Sequence, residues 1–183
     1  MGKILPALAV AAATLAACQN ATEPESLPDT VVLKEGFEGP AFPPAGWEVA
    51  AVGKVSLVRI YRNEEGGNHF ATLAVGGGQG SAEGYLTTPA LNRKRGVGFD
   101  VSFRYRRGMS GENEYARAKI YDPHVGEGHA VDLPYADDWV DKYFNFGAPT
   151  YEALLHFYVE VVEDGEIALD VDDVKVEVEL MAR

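Results

Sequence analysis

The stretch from Ile167 to Leu180, Ile-Ala-Leu-Asp-Val-Asp-Asp-Val-Lys-Val-Glu-Val-Glu-Leu, alternates apolar and charged residues almost without a break. Alternation with period two marks a β-strand that buries one face, and a strand of this kind needs a second layer to cover it. From Val174 onward, Val174, Val176, Val178 and Leu180 fall on one side, with Lys175, Glu177 and Glu179 on the other. The phase breaks at Asp172-Asp173, where two adjacent carboxylates replace an expected apolar residue. Whichever way the strand faces, one of the two points inward. A buried carboxylate without a partner costs several kcal/mol or is forced to protonate. The pair therefore predicts a positive partner: Lys, Arg or a bound cation.

Other segments repeat the pattern. Phe99, Val101, Phe103 and Tyr105 share one face of a strand whose other face carries Asp100, Ser102, Arg104 and Arg106. Ala116, Ala118 and Ile120 oppose Tyr115, Arg117, Lys119 and Tyr121, and Leu155, Phe157, Val159 and Val161 oppose His156, Tyr158 and Glu160. The Asp164-Gly165 turn signal predicts that this last strand pairs with the C-terminal one as a hairpin. Helix-length apolar sequence occurs only at the N-terminus; elsewhere short β-branched and aromatic runs are punctuated by turn residues, with 20 Gly and 10 Pro in the whole chain. The expectation is one all-β domain, a sandwich of two antiparallel sheets, with no internal repeat.

The N-terminus reads as a leader. Lys3 supplies a positive charge, Ile4 to Ala13 is an apolar segment too short to span a bilayer, and small residues precede Cys18, the sole cysteine. Leu15-Ala16-Ala17-Cys18 resembles the lipobox of bacterial lipoproteins, which implies a signal peptide over residues 1–17 and a lipidated Cys18. The other reading is a plain cleavage site followed by a free thiol. By the sorting rule of lipoproteins, Gln19 after the cysteine implies the outer membrane, facing the periplasm or the cell surface. Each buried acyl CH₂ contributes roughly 0.8 kcal/mol to such an anchor. Residues 18–30, polar and without periodicity, read as a flexible tether, and residues 31–183 as the domain.

Three motifs in order carry a family resemblance. Phe37-Glu38-Gly39, Phe42-Pro43-Pro44 and Gly46-Trp47 open the domain, Tyr85-Leu-Thr-Thr-Pro-Ala-Leu91 lies mid-chain, and Val171-Asp-Asp-Val-Lys-Val176 closes it. This series resembles the cleaved-adhesin and choice-of-anchor J domains, departing from them in Tyr85 for a usual Trp and in the extra Ala45. The resemblance implies a jelly-roll β-sandwich related to MAM and carbohydrate-binding-module folds. It also implies that the first and last strands lie together and that a structural Ca²⁺ sits between them. Glu38, Asp172 and Asp173 are then its candidate ligands, with Asn68 as a further one, because Ca²⁺ takes carboxylate and carbonyl oxygens. The alternative is that the two aspartates cap a bend and stay solvated. Trp47, after the Pro-Pro turn, is expected in the core.

Catalysis finds little support in the residues. His69, His124, His129 and His156 lack metalloprotease spacing, and Glu166 and Asp170 lack the tight alternation of laminarinase-type carboxylates. The Gly76-Gly77-Gly78-Gln79-Gly80 run has no following helix or Lys-Ser/Thr to make a phosphate cradle. A formal charge of −12 disfavours nucleic acid. The charge is also lopsided, since eight of the Lys and Arg residues lie between Arg93 and Lys119. Arg104 and Arg106 on one strand, with Tyr115, Arg117, Lys119 and Tyr121 on another, are expected to merge into one basic, aromatic surface. Trp139 is a further stacking platform. Such a surface suits an acidic or neutral glycan through Arg hydrogen bonds and ring stacking. The competing reading pairs these cations with the acids of the C-terminal half on solvated strand faces. The sequence thus points to a non-enzymatic, glycan-binding or adhesin-like lipoprotein module, with a structural lipoprotein that binds a protein partner as the alternative and a polysaccharide hydrolase as the third reading.

Overall fold

The computed structural model describes residues 30–76, 80–93, 98–108, 114–147, 150–163 and 165–179. Cys18, the leader and the tether up to residue 29 lie outside them, as do Asp164 and Leu180.

The alternating C-terminal segment is the central strand β12 (Ile167–Glu179), and one of its edges is shared by two partners. Ile167 to Val171 pair with β4 (Asn68–Val75), and Val174 to Glu177 pair with β1 (Val31–Glu35). The handover falls at Asp172-Asp173. Asp173 takes a left-handed backbone, φ 50°, and the register against the opposite neighbour β7 (Gly98–Gly108) slips between Asp172 and Lys175. One extra residue in the bulge restores the phase, so Val171 and Val174 both reach the core. The break in the sequence pattern thus marks where the partner strand changes.

β10 (Ala136–Phe146) flanks β7, and β3 (Val58–Glu65) flanks β4, completing a six-stranded antiparallel sheet in the order β10-β7-β12-β4-β3 with β1 on β12. Gly66 and Gly67, with φ of 63° and 87°, join β3 to β4, since a two-residue hairpin turn of this type needs positive φ at both central positions. The second sheet contains β2 (Glu48–Gly53), β5 (Ala82–Thr87), β11 (Glu152–Val161), β8 (Glu114–Tyr121) and β9 (Gly128–Asp132) in the order β2-β5-β11-β8-β9, with the short β6 (Leu91–Asn92) also on β11. The molecule is an all-β jelly-roll sandwich of two antiparallel sheets.

The inner faces interdigitate. Phe103 of β7 meets Phe157 of β11 edge to face, with ring centroids 4.9 Å apart, and Trp47 packs edge to face on Phe37 at 5.5 Å, buried as expected. Gly84 faces inward on β5, where an added Cβ would come within 2.8 Å of Val58 Cγ1. Its missing side chain is what lets β3 approach β5 across the sandwich.

β11 and β12 do not form a hairpin, because they lie in opposite sheets. After β11 the chain crosses the sandwich, and Glu166 N donates to Glu114 Oε1 on the way (2.9 Å). A local turn signal fixes a reversal of direction, not the sheet in which the next strand lies. β7 and β8 are likewise consecutive in sequence and opposite in space, so Arg104 and Arg106 share no surface with Tyr115, Arg117, Lys119 and Tyr121.

Candidate functional site

On the outer face of the second sheet, the register of β5, β11 and β8 places Tyr85, Tyr158 and Arg117 in one cross-strand row and Thr87, His156 and Lys119 in the next. Residues directly opposite on one face lie close enough for side chains to pack. Tyr85 and Tyr158 stack with centroids 5.6 Å apart, and Tyr121 and His156 stack at 4.7 Å. Tyr85 also presents its edge to the His156 ring at 6.2 Å. These four rings, with Lys119 and Glu160, line a cleft of about 380 Å³.

The polar groups around it are held in distinct states. Arg117 Nε contacts Asp132 Oδ1 (2.6 Å) while Arg117 Nη1 donates to the Tyr158 hydroxyl (3.1 Å). The Tyr158 hydrogen bond first, and Asp132 next, hold this guanidinium above its ordinary pKa. Burial, followed by the hydrogen bond to Glu83, pushes the Tyr85 phenol up. The His156 imidazole is driven down to about 4, chiefly by burial and secondarily by the Lys119 charge, so it is neutral at neutral pH. Its Nδ1 lies 2.8 Å from Thr87 Oγ1, which leaves Nε2 without a protein partner among the described residues.

The first sheet carries the remaining predicted residues on its own outer face. The guanidiniums of Arg104 and Arg106 each sit 5.2 Å from the Trp139 ring, and Trp139 meets the buried Phe70 edge to face at 5.2 Å. Both arginines are committed to acids. Arg104 contacts Asp172 at 2.9 Å and Asp173 at 3.0 Å, while Arg106 contacts Asp170 at 2.9 Å and Glu65 at 2.8 Å. For these two residues the pairing with C-terminal acids is the arrangement observed.

The acids at the β1–β12 corner are taken up in two separate sets of contacts, Asp172 and Asp173 on Arg104 and Glu38 on His69. Asp172, only 1% exposed, accepts from Asn68 Nδ2 (2.8 Å), Arg104 Nη2 (2.9 Å) and the Asp173 amide (2.7 Å). Glu38 accepts from the backbone and ring nitrogens of the neighbouring His69 at 2.9 and 2.7 Å, and the ring hydrogen bond holds its carboxyl below the usual range. The positive partner demanded by the paired aspartates is Arg104. Among the described residues no three His, Cys, Asp or Glu side chains are grouped for a metal. Asn68 presents a donor, and Arg104 occupies oxygens that an ion would need.

Tyr85, His156 and Tyr158 complete the cleft and were not among the predicted site residues. The sequence places His156 and Tyr158 on an outward row, but only the pairing of β11 with β5 and β8 brings them beside Lys119 and Tyr121.

No protein-family model matches the chain, and no curated protein matches it. Solved structures do. A family 61 carbohydrate-binding module in complex with β-1,4-galactotriose is 18% identical, with a TM-score of 0.55 over 79% of this chain and 94% of that one. A family 11 carbohydrate-binding module from Clostridium thermocellum, in complex with a β-1,3-1,4-mixed-linked tetrasaccharide, is 12% identical, with a TM-score of 0.54 over 84% and 97%. The xylan-binding domain CBM22-1 of Paenibacillus barcinonensis Xyn10C is 14% identical, also with a TM-score of 0.54, over 83% and 96%. The fold is that of carbohydrate-binding modules.

Proposed function

We propose that this chain is a non-catalytic glycan-binding module whose ligand lies across the outer face of β5, β11 and β8. The carrying observation is the cleft itself, in which four aromatic rings on three adjacent strands surround uncommitted polar groups. Apolar ring surface with a few placed hydrogen-bonding groups is how a protein site meets the mixed surface of a sugar. Likeness of fold to modules solved with bound oligosaccharides supports the same reading. Among the described residues Glu160 is the one carboxylate that lines the cleft, and Glu83, opposite it in the register, is taken up by the Tyr85 hydroxyl, whereas glycoside hydrolysis takes two carboxyl groups across the scissile bond. Calorimetric titration of wild type and Tyr158→Ala against a panel of oligosaccharides tests the proposal. Binding that the substitution abolishes supports it, and wild type binding nothing in the panel defeats it.

The proposal extends to the anchor and the corner. Leader, lipobox-like segment and sole cysteine support a lipid on Cys18 and attachment to the outer membrane, with the cleft serving an adhesive role. At the corner, calcium would enter in exchange for a guanidinium. Asp172, Asp173 and, with its amide turned, Asn68 would hold the ion, and Glu38 would join only by leaving His69. What supports this is the crowding of two carboxylates on one arginine. Melting temperatures in calcium and in chelator test it.

A further inference from the structure

The cleft has two electrically different ends. Lys119 lies beside Tyr121 and His156, with its ammonium 5.4 Å from the Tyr121 ring, and among the described residues it makes no ion pair and no hydrogen bond. Arg117, the neighbouring cation on β8, is already held by Asp132 and Tyr158. The Tyr121 hydroxyl and His156 Nε2 are likewise without protein partners among the described residues. Glu160 stands at the other end, four residues beyond His156 on β11, roughly 13 Å away at the rise of a strand.

Resting on the glycan reading, we infer that this cleft selects an acidic saccharide bearing a single carboxylate, a uronate residue next to neutral sugars, with the carboxylate on Lys119 Nζ. One half-buried ammonium without a counterion among the described residues matches one carboxylate, and a hydrogen bond between ions is stronger than one between neutral groups. The Tyr121 hydroxyl is placed to donate to the same group. His156, neutral at neutral pH, adds no second charge that would call for a dianion such as a sulfate cluster. Glu160 repels a second carboxylate at the far end, so a uniformly charged polyuronate fits less well than a glycan with one acidic residue.

The test is titration of the full chain with oligosaccharides that each carry one glucuronate or galacturonate beside neutral sugars, with their methyl esters, and with trigalacturonate. The acid form should bind about tenfold tighter than its ester, the equivalent of one charge-assisted hydrogen bond, and the preference should shrink as salt is raised. Trigalacturonate should gain nothing over the singly charged ligands. In Lys119→Gln the ratio of acid to ester affinity should fall to near one, and in Lys119→Arg it should persist. Equal affinity for acid and ester in wild type, with Tyr158→Ala still abolishing both, overturns this inference and leaves glycan binding intact. Absence of binding to every acid and every ester overturns both.

Discussion

Tyr85 and Tyr158 stack face to face across the pairing of β5 with β11, their rings inclined by 22°. Each ring covers the other, and Arg117 ties the Tyr158 hydroxyl to the next strand. Tyr158→Ala should lower glycan affinity at least tenfold, because stacking and a hydrogen bond are lost together. Tyr158→Phe keeps the stack and should cost less than Ala. Calorimetric titration of both variants ranks the two contributions. Equal losses would show that the hydroxyl carries the effect.

His156 should make the fold sensitive to acid. Its folded pKa of about 4 lies below the 6.5 of an ordinary imidazole, so between these values the unfolded chain binds the proton and the folded one does not. Stability must then fall as pH drops from about 6.5 to about 4, with no further loss from this group below that. The imidazole is not fully buried, and solvent screening makes the loss smaller than the shift alone suggests. Thermal melts of wild type and His156→Gln at a series of pH values check this. The variant should show a flatter decline between pH 6.5 and 4, and parallel curves would contradict the assignment.

The strands themselves were legible, since alternation at Phe99 to Arg106, Tyr115 to Tyr121 and Ala153 to Val161 correctly separates buried from outward residues. The adjacency of first and last strands followed from the resemblance, and β1 does pair with β12. What local pattern does not contain is which strands are neighbours. Arg104 and Lys119 are both outward on consecutive strands, yet the sheets carry them to opposite sides of the sandwich. The same limit hid Tyr85, whose place opposite Tyr158 depends on a register between segments more than 60 residues apart. Asp172-Asp173 showed the reverse. The demand for a cation was readable from burial alone, while Arg104 as its source depended on the pairing of β7 with β12.

Cys18 decides the anchoring proposal. Cys18→Ser should remove the acyl chains and move the protein from the membrane fraction to the soluble one, or leave an uncleaved leader of higher apparent mass. Unchanged fractionation at the wild-type mass would end the lipoprotein reading.

Arg104 separates two accounts of the acidic corner. Arg104→Met keeps much of the aliphatic bulk over Trp139 but leaves Asp172 buried without its charge partner. Removing one member of a fully buried pair costs about 3–5 kcal/mol. Arg104 is partly exposed and Asp172 retains the Asn68 and Asp173 hydrogen bonds, so about 2 kcal/mol is expected here, a fall of roughly 4–8 °C in Tm. If calcium can take the guanidinium's place, the ion should restore the variant. At a concentration a hundredfold above its Kd it adds about 2.7 kcal/mol, enough to offset the substitution. Wild type should also melt higher in calcium than in chelator, by less, since there the ion must first displace Arg104. Scanning calorimetry of both proteins at fixed ionic strength distinguishes the outcomes. Rescue of Arg104→Met with an indifferent wild type means that the arginine keeps the corner to itself, and indifference of both means that these carboxylates hold no ion.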